Sequence, residues 1–123
     1  STSPAAKPHG LAVDDVRRRA YVAGTNGAIV ALDLRSGARI STAPIARDVD
    51  QIAFDPKRGR LYCASGDGFV SVVRVDDAGL THIADVRVPA GAHTLALDPD
   101  SGAVWISYGT ERDDYIMKLA PSR

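Results

Sequence analysis

The sequence predicts an all-β protein made of three consecutive four-stranded repeats, the last of which lacks its outer strand. The first observation is internal repetition: GLAVDD, QIAFDP and TLALDP recur with the same order of residue types, anchored on Ala12, Ala53 and Ala96. These anchors lie 41 and 43 residues apart. The second observation is that each repeat divides into strand-length segments rich in Val, Ile, Leu and Tyr, separated by Gly, Asp, Pro and Ser. Both favour strands in hairpins over helices.

The first two segments of each repeat are predicted to form its inner pair of strands. In the first segment, alternation places large residues such as Ile52 and Phe54 on one face and the anchoring alanine on the other. The second segment carries an aromatic residue nine positions after the anchor, namely Tyr21, Tyr62 and Trp105. Because these aromatics recur at the repeat period inside a strand, we interpret them as core residues packed between repeats.

The third and fourth segments complete each repeat. The third segments are AIVALDL from Ala28, FVSVVRV from Phe69 and YIMKL from Tyr115. A fourth segment appears only twice, around ARISTAPI and LTHIADVRV. The third repeat is therefore predicted to end on an uncovered strand, whose free edge something else must cover.

The turns between these segments contain residue types suited to hairpins. Asp55 to Gly59 and Asp98 to Gly102 place Pro where φ is preset and Gly where a positive φ costs little. Asp14 to Arg18 fills the same place with less suitable residues. Asn26-Gly27 and Asp67-Gly68 are dipeptides typical of tight turns between a second and a third strand.

A repeat of about 40 residues with four antiparallel strands has the size of one β-propeller blade, which must stack on neighbouring blades to bury its faces. We divide the chain into an N-terminal segment (1–7, a candidate closing strand), blade 1 (8–48), blade 2 (49–91) and an incomplete blade 3 (92–123). Propellers close with about 4 to 8 blades. The expected partner is therefore further blades, either from a longer chain, which we favour, or from a second copy in a six-bladed dimeric ring.

The segments AVDDVRRRAYVAGTNGAIVALDLRSG and AFDPKRGRLYCASGDGFVSVVRV resemble repeats of the YVTN-type β-propeller family, and the NHL and lactonase-type propellers are similar. The resemblance covers residues 8–119 and implies the propeller fold. It also implies a secreted or periplasmic location. Activity does not follow from the fold, since one fold supports many chemistries.

Composition and motifs exclude several function classes. Fifteen basic and fifteen acidic residues give a formal net charge of zero, which argues against a nucleic-acid partner. No run approaches the roughly 18 consecutive apolar residues of a membrane span. The single cysteine, Cys63, rules out an intrachain disulfide and a multi-cysteine metal site. The sequence has no GxSxG, Walker A or HExxH motif.

The segments that lead into the three innermost strands are expected to reach one mouth of the propeller channel. They carry His9, Asp50 and His93 at equivalent places in the three repeats. Two imidazoles and a carboxylate are suitable ligands for a divalent metal ion. The alternative is a polar channel lining with hydrogen-bonded histidines and no cofactor, which we favour.

The loops between second and third strands are expected on the same face. They are 24–27, 65–68 and a longer third loop, 107–114, and their candidate ligand-binding or partner-binding residues are Asn26, Asp67, Tyr108, Glu111, Arg112 and Asp113. We therefore predict a binding or scaffold module that presents one loop face to a protein, peptide or small ligand. The alternative is a metal-assisted lactonase-type or lyase-type enzyme, in which His9 and His93 act as ligands or as acid and base.

Overall fold

The computed structural model describes residues 1–92 and 94–120, and within them the chain forms eleven β-strands. Their bounds are β1 Pro8–Asp14, β2 Arg19–Gly24, β3 Ala28–Asp33, β4 Arg39–Pro44, β5 Val49–Asp55, β6 Arg60–Ser65, β7 Phe69–Asp76, β8 Gly79–Arg87, β9 Thr94–Leu97, β10 Val104–Gly109 and β11 Asp114–Leu119. No helix among the described residues is long and apolar enough to cross a membrane.

The strands form three antiparallel sheets of four, four and three strands. Blade 1 has the order β1-β2-β3-β4, blade 2 the order β5-β6-β7-β8, and blade 3 the order β9-β10-β11. Within each blade, every strand pairs with the next one in sequence, so each blade is a meander. The all-β class and the three repeats are confirmed, and in the described part of blade 3 the outer strand is absent as expected.

The two ends of the blades carry different connections. We call the loop face the end that carries connections 25–27, 66–68 and 110–113, together with the segments entering β1, β5 and β9. The turn face is the opposite end, with connections 15–18, 56–59 and 98–103. Gly27 and Gly68 have φ values of 90° and 98°. Each closes a tight turn through an amide hydrogen bond to Gly24 or Ser65, so the two predicted hairpins are confirmed.

Blades 1 and 2 pack face to face through a buried apolar cluster. It includes Tyr21, Ala23, Ile29 and Ala31 of blade 1 and Leu61, Cys63, Val73 and Val75 of blade 2. The Tyr21 ring centroid lies 5.3 Å from that of Phe54. Fully burying each large apolar side chain contributes about 1.5–3 kcal/mol. The face-to-face packing of blades therefore forms the core of the molecule.

Blades 2 and 3 pack through a second cluster, in which Tyr62 is buried among residues that include Val72, Leu95 and Ile106. Trp105 differs from its counterparts, since 42% of its surface is exposed. Its neighbour Ile106 belongs to the cluster, so alternation along β10 places Trp105 on the opposite face of the sheet. The prediction that Trp105 is a buried core residue is wrong for this chain, because no blade covers that face in the described residues.

The outer face of blade 1 is open in the same way. Leu11 and Val13 lie on β1 and are mostly exposed. Their counterparts in β5, Ile52 and Phe54, pack into the first cluster. A residue pattern that buries its large side chains in blade 2 therefore leaves them in solvent in blade 1. Both ends of the three-blade stack consequently present apolar surface.

A buried aspartate organises the turn face of blade 1. Asp14 Oδ1 accepts hydrogen bonds from the amides of Val16 and Arg17, and Oδ2 accepts one from the Tyr21 hydroxyl at 2.6 Å. Burial pushes the pKa of Asp14 upward, but the hydrogen bonds from Arg17 and Tyr21 outweigh it and hold the pKa below its ordinary value. Asp55 is equally buried and forms the corresponding turn in blade 2.

Arginines on the turn face join each blade to the next. The Arg19 guanidinium donates to both carbonyl oxygens of Asp76–Asp77, at 3.0 and 2.7 Å. The Arg58 guanidinium donates to both carbonyl oxygens of Pro99–Asp100, at 3.3 and 2.9 Å. In blade 3 the place of Arg58 is taken by Ser101, which bonds only to Asp98 of its own turn. These contacts between blades were not predicted from the sequence.

The same turns contain a left-handed residue at an equivalent place in all three blades. The residues are Arg18, Gly59 and Gly102, with φ values of 56°, 63° and 77°. Glycine adopts this conformation at little cost, whereas arginine does not. The structure therefore agrees with the inference that the first turn has less suitable residues than the other two.

Residues 1–7 form no strand. They bend over the first hairpin, where the Asn26 side chain accepts a hydrogen bond from the Ala6 amide at 3.0 Å and donates one to the Pro4 carbonyl at 2.9 Å. Ala5 is buried. In this chain the segment packs on blade 1, and its pairing with a last blade remains a prediction.

Candidate functional site

The loop face is held together by backbone hydrogen bonds that run from one connection to the next. The Thr25 amide donates to the Lys7 carbonyl at 3.3 Å, and the Gly66 amide donates to the Asp48 carbonyl at 3.0 Å. The Asp48 amide donates in turn to Thr25, and the Gly91 amide donates to Gly66. Lys7, Asp48 and Gly91 occupy equivalent places and all have positive φ values, of 49°, 60° and 86°. The three repeats thus share one backbone frame here with different side chains on it.

The three predicted metal ligands can be placed only in part. His9 is exposed in β1, and its Nδ1 lies 3.3 Å from the Lys7 carbonyl. Asp50 is exposed in β5 and has an interaction partner. His93 lies outside the described residues. Within residues 1–92 and 94–120 no three His, Cys, Asp or Glu side chains come together as a metal site, so the three-residue set remains a prediction.

Two carboxyl groups of the loop face interact directly. A side-chain hydrogen bond to Asp48 and the Asp48 charge raise the pKa of Asp67, and the nearby positive charge of Arg47 offsets this only partly. Asp67 was identified from its hairpin sequence. Asp48 was not, although it directly precedes the β5 strand. Its left-handed conformation and its contact with Asp67 appear only when the two connections fold together.

The third loop is shorter than expected. The strands extend to Gly109 and resume at Asp114, so the connection is 110–113 instead of 107–114, and it exceeds its counterparts by a single residue. Glu111, Arg112 and Asp113 lie in this exposed connection. Both amides of 112–113 donate to the Thr110 hydroxyl, which closes the loop.

Tyr108 lies in strand β10 and not in the loop, which corrects its predicted position. Its ring stacks on that of Tyr115 with the centroids 5.3 Å apart. Beside this pair is a groove of about 460 Å³, whose lining also includes Thr94, Ser107 and Ile116. Tyr108 therefore supplies the wall of a groove at the loop-face end of blade 3.

Blade 2 contains Ser, His and Asp side chains in contact, but their order does not suit a nucleophilic serine. The Ser71 hydroxyl donates to Asp85 Oδ1 at 2.7 Å and accepts from the Ala46 amide. His82 Nε2 bonds to the same Asp85 oxygen at 2.9 Å, so the histidine contacts the acid and not the hydroxyl. Ser71 is fully buried. The group ties blade 2 to the connection that leaves blade 1.

Cys63 lies in the first apolar cluster. Burial, and to a smaller extent the charge of Asp85, raise the pKa of its thiol to about 12. A thiol in this state is not a nucleophile near neutral pH.

The sheets, their stacking and the shared frame of the loop face define the chain as a three-blade segment of a β-propeller. No family model matches the sequence, and no curated protein matches it.

Similarity to solved propellers is structural and extends over nearly the whole chain. A chain of hydrazine synthase from Kuenenia stuttgartiensis superposes with a TM-score of 0.81 at 13% identity, covering 98% of this chain and 34% of that one. A candidate 6-phosphogluconolactonase from Bacteroides uniformis gives 0.75 at 16% identity, covering 94% and 37%. The β-propeller domain of Cps50 (Swd1) from Myceliophteria thermophila gives 0.70 at 13% identity, covering 92% and 43%. The chain thus spans between a third and a half of the length of these chains. At this level of identity, the structural similarity establishes the fold and nothing more.

Proposed function

We propose that this chain is a binding module of a larger β-propeller, with repeats of the YVTN type, and that its loop face binds a protein, a peptide or a small ligand. The observation that carries the proposal is the loop-face frame. The carbonyl groups of Lys7 and Asp48 accept equivalent hydrogen bonds, the amides of Asp48 and Gly91 donate equivalent ones, and the side chains at these positions differ. A rigid frame with variable side chains is the arrangement by which loops on a scaffold bind ligands.

Binding is best supported at the part of the loop face formed by the connections 45–48, 66–68 and 110–113. There the Asp48 and Asp67 carboxyl groups stand near the exposed Arg47. The closed 110–113 connection adds Glu111 and Arg112, so both signs of charge are present. Such a surface suits a polar ligand with its own positive and negative groups.

The proposal is tested by screening a fragment and short-peptide library against the ¹⁵N-labelled chain by NMR. We expect the amide shifts of hits to map to residues 47–50, 66–68 and 110–113. Asp67→Ala and Arg112→Ala should weaken such hits severalfold, whereas Asp100→Ala on the turn face is the matched control and should not. Hits that map to the turn face, or that ignore both loop-face substitutions, would refute a loop-face binding function.

The partner proposal is that further blades cover the two open faces of the stack. Leu11 and Val13 on one side and Trp105 and Ile116 on the other are large exposed apolar residues. Apolar surface of this kind, on faces equivalent to buried ones, favours association. We expect light scattering to show association of the isolated chain that Trp105→Glu reduces. Monomers at all concentrations, unaltered by this substitution, would contradict the proposal.

A further inference from the structure

The first hairpin of the loop face contains the only asparagine of the sequence, Asn26, directly before Gly27. An Asn-Gly pair is chemically labile, because glycine has no side chain to crowd its own amide nitrogen, which can attack the carboxamide carbon of the asparagine. In the structure, however, each polar group that takes part in this attack is engaged in a hydrogen bond. Asn26 is therefore a reactive residue in a protected setting.

Residues 4–6 hold the Asn26 carboxamide from both ends. Its Oδ1 accepts a hydrogen bond from the Ala6 amide at 3.0 Å, and its Nδ2 donates one to the Pro4 carbonyl at 2.9 Å. Ala5 between them is buried, so this segment also packs on blade 1. With both of its polar atoms bonded, the carboxamide cannot turn while residues 4–6 stay in place. We call this arrangement the Asn26 contact.

The attacking nitrogen is engaged as well. The Gly27 amide donates to the Gly24 carbonyl at 3.2 Å, which is the bond that closes the hairpin. Attack requires this nitrogen to lose its proton and to approach Asn26 Cγ. The reaction therefore needs a local opening in which the hairpin bond and the Asn26 contact are both broken. Its rate is the rate of an unprotected Asn-Gly pair multiplied by the fraction of chains in this open state.

A glycine makes room for the Asn26 contact. A Cβ atom on Gly24 would lie 2.6 Å from three atoms, Ala6 N, Ala6 O and Asn26 Oδ1, which is closer than atoms that are not bonded approach. Gly24 is the last residue of β2, and Ser65 is the last residue of β6. The Ser65 hydroxyl donates to the Arg47 carbonyl. The strand therefore accepts a side chain at this position in blade 2, and the glycine of blade 1 serves the contact between Ala6 and Asn26.

We propose that Asn26 is a site of spontaneous deamidation, that the Asn26 contact keeps this reaction slow, and that the reaction in turn weakens the contact. The Gly27 nitrogen forms a bond to Asn26 Cγ, and the Cγ–Nδ2 bond breaks. Ammonia leaves and takes up the amide proton of Gly27. Water then opens the succinimide to aspartate or isoaspartate, so the chain gains one carboxyl group. The inference goes beyond the proposed function and does not depend on loop-face binding.

Deamidation removes the donor that holds Pro4. Aspartate and isoaspartate both lack the NH₂ group, and their carboxyl group is ionised at neutral pH and only accepts hydrogen bonds. An oxygen that takes the place of Nδ2 faces the Pro4 carbonyl oxygen, and two acceptors at this distance repel each other. The product therefore holds residues 4–6 less firmly than Asn26 does. Because the ammonia is lost, the change is permanent.

The test follows deamidation of the purified chain by mass spectrometry at mildly alkaline pH, where amide nitrogens lose their proton more readily. The peptide AGTNGAI, which has the sequence of residues 23–29, is the unprotected reference. Peptide mapping locates the new acid at residue 26. We expect the folded chain to react at least about tenfold more slowly than the peptide, since locally open states are minor ones. Equal rates in the chain and the peptide would overturn the proposal.

Gly24→Ala tests the Asn26 contact with a single methyl group. It leaves the Asn-Gly pair intact but forces Ala6 and Asn26 apart, so deamidation should be at least about threefold faster. Gly59→Ala is the matched control, because it also adds one methyl group and destabilises the chain, but on the turn face. It should leave the rate unchanged. Equal acceleration in both variants would show that global unfolding controls the reaction, and either this result or an unchanged rate in Gly24→Ala would overturn the proposal.

Hydrogen exchange gives a second measurement, on the wild-type chain alone. Anion exchange separates the deamidated fraction, which carries one more negative charge, from the unreacted chain. The amide of Ala5, which follows Pro4, should exchange at least about threefold faster in the deamidated fraction. Equal exchange in the two fractions would overturn the inference that the reaction weakens the Asn26 contact.

Discussion

Replacing Tyr21 by phenylalanine removes one hydroxyl from the turn face and tests the buried network around Asp14. The hydroxyl donates to a buried carboxylate at 2.6 Å. Hydrogen bonds to charged groups contribute about 1.5–3 kcal/mol, and Asp14 keeps its bonds from Val16 and Arg17, so we expect a loss near the lower end, about 1.5–2 kcal/mol. For a chain of this length, that lowers the melting temperature by about 6–8 °C.

Tyr62→Phe is the matched control, because Tyr62 has the same place in blade 2 but no partner for its hydroxyl in the described residues. Removing an unpaired buried hydroxyl should be neutral or stabilise by up to about 1 kcal/mol. Urea unfolding followed by circular dichroism measures both variants. Equal losses in the two variants would refute the assignment of the difference to the bond with Asp14.

The pH dependence of Tyr21→Phe provides a further check. The pKa of Asp14 is lowered in the folded chain, so its contribution to stability is present above the ordinary pKa of an aspartate and is lost as the pH falls through the folded pKa. The Tyr21 bond is one cause of that lowering. The difference between wild type and Tyr21→Phe should therefore shrink in acid. A difference that stays constant down to about pH 2 would contradict this account.

Three other predictions concern single positions. Arg18→Gly should stabilise the chain by about 0.5–1 kcal/mol in urea unfolding, because removing the strain of a left-handed arginine outweighs the entropy cost of a glycine. Gly59→Ala should destabilise the chain for the converse reason. A loss of stability in Arg18→Gly would contradict this. Because contact with Asp48 raises the pKa of Asp67, wild-type stability should fall as pH rises through that pKa, and Asp67→Asn should flatten this part of the pH profile of the melting temperature. Cys63 should react with a thiol reagent only at the rate of unfolding; faster labelling in native buffer would show that its site opens locally.

Much of the fold was predictable because repetition multiplies each signal. A single apolar segment such as GLAVDD is ambiguous, but three copies in register define strands, turns and the missing outer strand together. The burial of Trp105 was predicted wrongly for a related reason. Register shows which face a residue occupies, whereas exposure depends on whether a neighbouring blade covers that face.

The candidate site was less predictable, because its contacts join residues 18 to 25 positions apart. Asp67 was identified from its place before a turn glycine. Its interaction with Asp48 and the bonding of Asn26 to residues 4–6 depend on how separate connections meet. Tyr108 was assigned to a loop because the sequence around Gly109 is typical of a turn. In the structure β10 extends to Gly109, and the Tyr108 ring stacks on that of Tyr115 across the hairpin. The repeat position of a residue showed which polar side chains lie on the loop face, but it did not show which of them contact each other.

Arg19 and Arg58 on the turn face bind carbonyl groups of the following blade, and this has a consequence for biosynthesis. The carbonyl groups that Arg58 and Arg19 bind lie 41 to 58 residues downstream. At about 5–20 residues per second, a ribosome makes these acceptors roughly 2 to 12 s after the arginine. The contacts that join blade 1 to blade 2 and blade 2 to blade 3 therefore form only after the turn of the later blade has been translated. Slow codons placed just after a blade would prolong the interval in which the apolar face of that blade has no neighbour to cover it.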